Sequence, residues 1–244
     1  MPQPSSPTKP VCNEMNGAQL RVVKIGGSLL DMPDLVERLR SWSDQQLELG
    51  PLWFLVGGGT VVEQIRIDHQ HGRFTESAAH WASIAVMREN TAELAQRFQG
   101  SRRLRVSGNL RRVTYPAAAD TSRIQDDDRI EFVDVEPFLR GQATDPKVPP
   151  LPCSWDVTSD SIAALIAAGH GAAECVLLKS RLPAAGLEAS ELARDGYVDP
   201  FFPNVAAHLR RIRFVDFRSD GFFEVHWENG NTVKEFGCQQ RWIT

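Results

Sequence analysis

Two glycine turns, each directly after an apolar segment, constrain this chain more than any other feature. The first, Gly26-Gly27-Ser28, follows Arg21-Val-Val-Lys-Ile25, and the second, Gly57-Gly58-Gly59, follows Leu52-Trp-Phe-Leu-Val56. Each apolar segment predicts a short buried strand, and a helical pattern begins after each turn. Because glycines have no side chain, the backbone N–H groups of such turns can approach an oxygen-rich anion. The positive end of the following helix attracts the same anion.

Lysine is scarce in this chain, and two lysines lie where a surface residue is not expected. Of five lysines, Lys24 lies inside the first apolar segment and Lys179 ends another, Glu174-Cys-Val-Leu-Leu-Lys179. A charge in an apolar strand is costly unless it meets an anion. A compact ammonium group suits the gripping of a single oxygen, whereas arginine suits bidentate clamping. Together with the glycine turns, these lysines indicate phosphate chemistry.

The composition excludes several classes of protein. The 244 residues are 42 % hydrophobic and 24 % charged, as in ordinary globular proteins. No apolar run approaches the roughly 20 residues of a membrane span, so no membrane partner is expected. Residues 1–18 are rich in proline and lack the apolar core of a signal peptide, which predicts a disordered tail before a single domain at 19–244. Four scattered cysteines without a C-x-x-C pair predict a reduced, cytoplasmic protein.

Charge and histidine spacing argue against nucleic acid and metal as partners. The net charge is −4, and the arginines at 102–112 have a single aromatic residue nearby, Tyr115. Binding of RNA requires more aromatic residues for base stacking, so a charged edge strand explains the arginines better. His69-Gln-His71 lacks the spacing of helical zinc ligands, and no protein-bound metal is expected.

Apolar segments and helical patterns alternate along the chain. Strands are predicted at 20–25, 52–56, 102–115, 130–135 and 174–179, and helices at 34–49, 61–71, 76–98 and 154–168. Asp220-Gly221 and Asn229-Gly230 predict hairpins near the C-terminus. This order predicts an α/β fold, a three-layer α/β/α sandwich with a mainly parallel central sheet.

The order of three motifs is more specific than any one of them. Val23-Lys-Ile-Gly-Gly-Ser28, then Val56-Gly-Gly-Gly59, then Thr158-Ser-Asp160 opening an alanine-rich helix resembles the amino acid kinase superfamily, over roughly residues 20–218. The segments Trp155-Asp-Val-Thr-Ser-Asp-Ser-Ile-Ala163 and Gly196-Tyr-Val-Asp-Pro-Phe-Phe202 are similar to a branch that phosphorylates an aminomethylfuran phosphate in methanofuran biosynthesis.

This resemblance implies an activity, cofactors and roles for particular residues. The family transfers the γ-phosphoryl group of ATP to a small phosphate or carboxylate, with Mg²⁺ brought by the nucleotide. By resemblance, Lys24 neutralises the moving group and Asp160 holds Lys24 in position. The resemblance also implies phosphate binding by Gly26 and Gly27 and acceptor binding by Gly57, Gly58 and Gly59. From their positions we expect Ser28 to bind phosphate and Arg66 and Asp156 to bind the acceptor. The family also implies a homodimer or a higher homo-oligomer.

Two segments depart from the family pattern on the nucleotide side. Lys179-Ser-Arg-Leu-Pro-Ala-Ala185 replaces a Thr/Ser-Asp-Val-Asp-Gly-Val-like segment. Residues 196–202 replace a Gly-Gly-Met-x-x-Lys stretch that supplies a second lysine. We expect Lys179 to substitute for that lysine. Asp199 is either a contact to the nucleotide or an ordinary turn residue. These departures leave a second interpretation open, a non-catalytic sensor or storage protein that binds a nucleotide or oxyanion.

Several further residues have two interpretations each. Asp156 either faces the cleft with Asp160 or caps a helix, and Thr158 and Ser159 are expected to cap. Trp155 either walls an aromatic acceptor or packs in the core. On the long helix at 76–98, packing or a dimer face is expected for His80, and Asn90 is interpreted as an ordinary polar helix residue.

Overall fold

The computed structural model describes residues 20–99, 105–107, 129–141, 151–184, 187–228 and 231–237. The predicted tail, the Asn229-Gly230 turn and most of the predicted strand at 102–115, including all of its arginines except Arg105, lie outside these residues. The tests of the sequence predictions below concern the described part of the chain.

The described strands form one mixed sheet with the order β3-β4-β2-β1-β5-β6-β7-β8. The first six run parallel, whereas β7 and β8 are antiparallel additions at one edge. The strands are β1 (Arg21–Ile25), β2 (Leu52–Val56), β3 (Arg105–Ser107), β4 (Ile130–Val133), β5 (Glu174–Lys179), β6 (Arg211–Asp216), β7 (Phe223–Glu228) and β8 (Asn231–Gly237).

Helices connect the parallel strands, and a 3-10 turn at Gly27–Leu29 follows β1. The helices are α1 (Leu35–Leu47), α2 (Gly59–Gln70), α3 (Glu76–Gln99), α4 (Val135–Gly141), α5 (Ser159–Gly169), α6 (Ala189–Arg194) and α7 (Phe202–Ala206). The four predicted helices are confirmed as α1, α2, α3 and α5. The sequence analysis missed α4, α6 and α7, which are too short to show a helical period.

The central strands are buried on both faces. All five residues of β1 and all five of β2 are buried, which explains why their apolar residues run on without alternation. Along β1, Val22 packs in the cluster that contains α5, and Val23 and Ile25 pack in the cluster that contains α1. The α/β prediction, with helices on both sides of a mainly parallel sheet, is confirmed.

The antiparallel edge begins at the predicted Asp220-Gly221 turn. The connection from β6 to β7 is longer than a two-residue hairpin, and Asp216 organises it: Oδ1 accepts from the Arg218 and Ser219 N–H groups.

None of the described helices combines the length and the apolar character needed to cross a bilayer.

A buried polar cluster connects the amino ends of β1 and β5 to β6 and β7. It lies toward the end of the sheet that is opposite the glycine turns. The Arg213 guanidinium contacts Glu174 on β5 at 2.9 Å and Glu224 on β7 at 3.2 Å. It also donates to Gln46 Oε1 at 2.8 Å, and Arg21 donates to the same oxygen at 3.0 Å. The charges are therefore paired within the fold and stabilise the junction of β1, β5, β6 and β7.

Candidate functional site

One buried carboxylate lies between two lysines. Asp160, in the first turn of α5, has Oδ1 2.9 Å from Lys24 Nζ and accepts a hydrogen bond of 2.6 Å from Lys179 Nζ at Oδ2. The register explains this meeting. Lys24 on β1 lies opposite Leu177 on β5, so Lys179, two residues further along, projects from the same face of the sheet. Both lysines of the sequence prediction thus reach one carboxylate.

The electrostatics of this cluster favour a bound anion. Burial alone would raise the pKa of Asp160, but the ammonium groups of Lys179 and Lys24 outweigh burial and lower it to about 2. Burial lowers the pKa of Lys179 to about 8; Lys24 adds to that effect and Asp160 opposes it. Near neutral pH Asp160 therefore stays ionised between the two lysines, and the nearby Asp199 also raises the pKa of Lys179. An anion that binds beside the lysines meets groups already fixed in place.

The two glycine turns pack against each other, backbone to backbone, at the carboxyl ends of β1 and β2. A Cβ on Gly27 would lie 2.3 Å from the Gly59 nitrogen, and a Cβ on Gly57 would lie 2.8 Å from the Gly27 nitrogen. Gly59 also has a φ of +64°, a conformation that side chains disfavour. Contacts between the two turns therefore explain these glycines, in addition to any contact with a ligand.

The N–H groups of Gly26 and Gly57 are already used within the fold. The Gly26 N–H donates to the Leu178 carbonyl at 2.9 Å, and the Gly57 N–H donates to the Ile25 carbonyl at 2.9 Å. Neither N–H group is therefore free for a ligand, and a binding role for these two glycines stays a prediction. Gly27 and Ser28 begin the 3-10 turn, and Gly59 begins α2, so their N–H groups have no intrahelical acceptor.

Two side chains that the sequence analysis did not select brace the turns. Asn90 on α3 donates from Nδ2 to the Gly57 and Gly58 carbonyls at 2.8 and 3.2 Å. Arg218, just after β6, donates to the Ser28 carbonyl at 2.6 Å and pairs with Asp31 at 2.7 Å. Asn90 is thus more than an ordinary polar helix residue. Arg218 lies 190 residues from Ser28, and no local pattern indicates such a contact.

Asp199 caps α5 from a distant part of the chain. Its Oδ2 accepts from the Thr158 N–H and hydroxyl at 3.0 and 2.8 Å and from the Ser161 N–H at 3.0 Å. Its Oδ1 accepts from the Ser161 hydroxyl and from the Phe202 N–H. Burial and the nearby Asp160 raise the pKa of Asp199. These hydrogen bonds favour the second interpretation of Asp199, a structural turn residue, and they fix the helix that presents Asp160.

A cleft of about 580 Å³ opens beside the glycine turns. Gly27, Ser28, Gly58, Gly59 and Arg66 line it, as the sequence predicted for a ligand site. Asp156 is exposed and is not among the lining residues, and its role in acceptor binding stays a prediction. The apolar part of the lining includes Leu30, Val62, Ile84, Met87, Trp155, Val157 and Ile162.

One face of α3 also lines the cleft. His80, Ser83, Ile84 and Met87 line it, at the three- and four-residue spacing of one helix side. His80 is buried, and burial lowers its pKa, so this imidazole is neutral near pH 7. The sequence analysis assigned His80 to packing because nothing in the sequence shows which way α3 faces.

Metal-ligating groups are sparse near the site. The residues that the structure describes contain no group of three or more His, Cys, Asp or Glu side chains that could hold a metal ion. His71 is exposed, and its Nδ1 contacts the Ile67 carbonyl at 2.9 Å.

Comparisons with known proteins agree with this geometry. No curated protein matches the chain. Among solved structures, UMP kinase from Bacillus anthracis superposes with a TM-score of 0.55 at 13 % identity, covering 83 % of this chain and 89 % of that one. Uridylate kinase from Archaeoglobus fulgidus gives 0.51 at 14 % identity, covering 80 % and 88 %. At these identities the likeness shows the fold. The model of the amino acid kinase family matches residues 19–181, two thirds of the chain, and the chain belongs to this family.

Proposed function

We propose that this protein is an ATP-dependent small-molecule kinase. The observation that carries the proposal is the Asp160 carboxylate between the ammonium groups of Lys24 and Lys179, at 2.9 and 2.6 Å. The cluster adjoins the glycine turns at the carboxyl ends of adjacent parallel strands, where open α/β sheets bind their ligands. A phosphoryl group in transfer spreads negative charge over its oxygens, and fixed cations stabilise that charge.

Each residue of the cluster has a distinct task in the proposed reaction. Lys24 and Lys179 neutralise the transferred phosphoryl group from two sides. Asp160 fixes both ammonium groups before the substrate arrives, so little reorganisation accompanies the reaction. The N–H groups of Gly27 and Ser28 point their partial positive charge toward the nucleotide phosphates, and those of Gly58 and Gly59 toward the acceptor.

The residues present fit a magnesium ion that arrives with ATP. No described cluster of carboxylates could hold the ion by itself, so phosphate oxygens would supply most of its ligands. When bound, the ion adds charge neutralisation across the nucleotide phosphates. Lys179 then takes the place of the lysine that other family members carry in the segment corresponding to residues 196–202.

We propose a phosphomonoester as the acceptor, in preference to a carboxylate. The segments at 155–163 and 196–202 support this preference, because they resemble the aminomethylfuran phosphate branch. The product would then be a diphosphate in one-carbon cofactor synthesis. A cytoplasmic location and a homodimer stay predictions from the sequence.

The test is turnover of ATP–Mg²⁺ by the full chain with a panel of small phosphomonoesters and carboxylates, aminomethylfuran phosphate included. Lys24→Met and Lys179→Met each remove one ammonium group while keeping a long side chain. Arg194→Met is the control, because it removes an exposed cation outside the cluster. We expect each lysine variant to lose at least about 100-fold in kcat/KM, as for the loss of one transition-state charge contact, and the control to be unchanged.

One result would overturn the kinase proposal, and a second would overturn the role of Lys179 in it. Tight ATP binding without turnover for any acceptor would favour the non-catalytic sensor. Unchanged turnover in Lys179→Met would show that Lys179 does not substitute for the missing lysine, even if Lys24 is required.

A further inference from the structure

The cleft runs along one side of α3. The residues of α3 that line it are spaced three or four apart, as one side of a helix requires. They are Glu76, His80, Ser83, Ile84, Met87 and Asn90. At a rise of about 1.5 Å per residue, the first and last of these lie about 21 Å apart along the helix axis. Position along α3 therefore measures distance along the cleft.

The character of the α3 wall changes along this length. Asn90 lies at the glycine turns, where it donates to the Gly57 and Gly58 carbonyls at 2.8 and 3.2 Å. Met87 and Ile84, both buried, form an apolar middle section. His80 lies beyond them, about 15 Å from Asn90 along the axis. The wall is thus polar at its two ends and apolar between them.

The His80 imidazole at the far end is buried and has no hydrogen-bond partner. It is 8 % exposed and lines the cleft, and within the described ranges no group hydrogen-bonds to it. Its ring meets the Trp81 ring edge-on, with 5.3 Å between the ring centres, and this contact leaves both imidazole nitrogens unused. Because a buried polar group without a partner is costly, we expect an occupant of the cleft to supply one.

The surroundings of His80 favour an uncharged partner. Ser83, three residues along, donates its hydroxyl to the Ala79 carbonyl at 2.8 Å, so its lone pairs remain available. The carboxylates that line the cleft are exposed, and they are Asp31, Glu63 and Glu76. They repel an anion, and none of them is a buried counter-ion for a ligand cation at His80. A neutral imidazole both donates and accepts, which suits a hydroxyl, a carbonyl or an amide.

From this arrangement we infer that His80 is a specificity-determining residue for an elongated acceptor that carries an uncharged hydrogen-bonding group at the end far from its phosphate. The inference rests on the proposed function for the position of the phosphate at the glycine turns. The middle of the acceptor packs on Ile84 and Met87, and its far end binds His80 and Ser83. The cleft volume of about 580 Å³ lies in the range of sites for drug-sized ligands.

Four phosphonates test the inference without phosphoryl transfer. Octylphosphonate and its analogue with a terminal hydroxyl differ only at the far end. Propylphosphonate and its terminal-hydroxyl analogue repeat the change on a chain too short to reach His80. Isothermal titration calorimetry of the full chain gives the effect of the hydroxyl on Kd at each length. We expect the hydroxyl to tighten binding of the long probe about threefold to tenfold, as for one net hydrogen bond. It should weaken binding of the short probe, where it faces the apolar section.

Three variants assign this effect to His80. His80→Phe keeps a ring without nitrogens, so the hydroxyl should no longer tighten binding of the long probe. His80→Gln retains a donor and an acceptor and should restore part of the gain. His208→Phe makes the same change at an exposed histidine after α7 and is the control with the wild-type gain. If His80 had a merely structural role, its loss would alter both long probes equally and leave the ratio of their Kd values unchanged.

Several outcomes would overturn the inference. They are no gain from the hydroxyl on the long chain, an equal gain on the short chain, a gain that survives His80→Phe, and no binding of either octyl probe by the folded wild type. Because the probes are titrated without ATP, a failure of the kinase proposal in the turnover assay is a separate result.

Discussion

Replacing Asp160 with asparagine isolates the two-lysine cluster. The change removes one negative charge and keeps the size of the side chain, so Lys24 and Lys179 face each other without a counter-ion. Both lysines are largely shielded from water, with 6 % and 14 % of their side chains exposed. The variant therefore measures what the carboxylate contributes to holding two buried cations.

The size of the effect follows from buried ion pairs in other proteins. Loss of one partner from a buried ion pair costs about 3 to 5 kcal/mol by experiment. We therefore expect Asp160→Asn to lower the free energy of unfolding by about 3 to 5 kcal/mol at pH 7.

The sign of the pH dependence adds a second test. Burial lowers the pKa of Lys179 to about 8 in the folded wild type. Between about pH 8 and the pKa of Lys179 in the unfolded chain, the unfolded chain binds more protons than the folded one. The free energy of unfolding therefore rises with pH in this range. In Asp160→Asn, Lys179 is already neutral near pH 7, so stability begins to rise with pH at least one pH unit lower than in the wild type. The difference in unfolding free energy between the two proteins should therefore shrink by about 1.4 kcal/mol between pH 7 and pH 9.

Urea unfolding of both proteins at the two pH values provides the measurement, with equal m-values as the sign that the same surface is exposed. Asp156→Asn is the matched control, because it makes the same change on an exposed side chain four residues earlier, and we expect it to cost less than about 0.5 kcal/mol. A normal midpoint for Asp160→Asn, or a deficit that grows with pH, would refute the reasoning.

Three further predictions concern the glycine turns and the nucleotide. Gly27→Ala forces a Cβ to within 2.3 Å of the Gly59 nitrogen, so it should lose ATP turnover and several degrees in Tm, whereas Gly221→Ala, whose Cβ would meet nothing closer than 3.7 Å, should retain both. Asn90→Ala leaves two glycine-turn carbonyls without their donor and should cost about 1 to 2 kcal/mol in urea unfolding while raising the acceptor KM. With the pKa of Lys179 lowered to about 8, ATP affinity in calorimetry should fall above that pH in the wild type and stay level in Lys179→Arg.

Much of the fold was predictable because its signals are local. The unbroken apolar segments of β1, β2 and β5 indicated strands covered on both faces, and the long α3 showed good helix formers throughout. The short helices α4 and α7 have seven and five residues, too few for a period to emerge, and tertiary contacts stabilise them.

The candidate site was predictable only where a motif carried it. Lys24 and Lys179 were indicated by a charge in or at the end of an apolar segment, and Asp160 by its motif. Their meeting depends on the pairing of β1 with β5, which the sequence does not state. The sequence left the role of Asp199 open for a related reason: its hydrogen bonds join it to Thr158 and Ser161, about 40 residues earlier. A buried aspartate before a turn has the same sequence pattern whether it binds a ligand or caps a distant helix.

The Asp199 contacts also change how the cluster is understood. Because Asp199 accepts the Thr158 and Ser161 N–H groups at the start of α5, Asp160 does not need to cap this helix. Its two oxygens are therefore left for Lys24 and Lys179. The chain thus divides two functions between two carboxylates, one that fixes the helix and one that holds the cations. Asp199→Asn keeps one of the two side-chain oxygens and replaces the other with an amide NH₂ group. This variant should therefore misplace Asp160 and reduce turnover, although Asp199 contacts neither lysine.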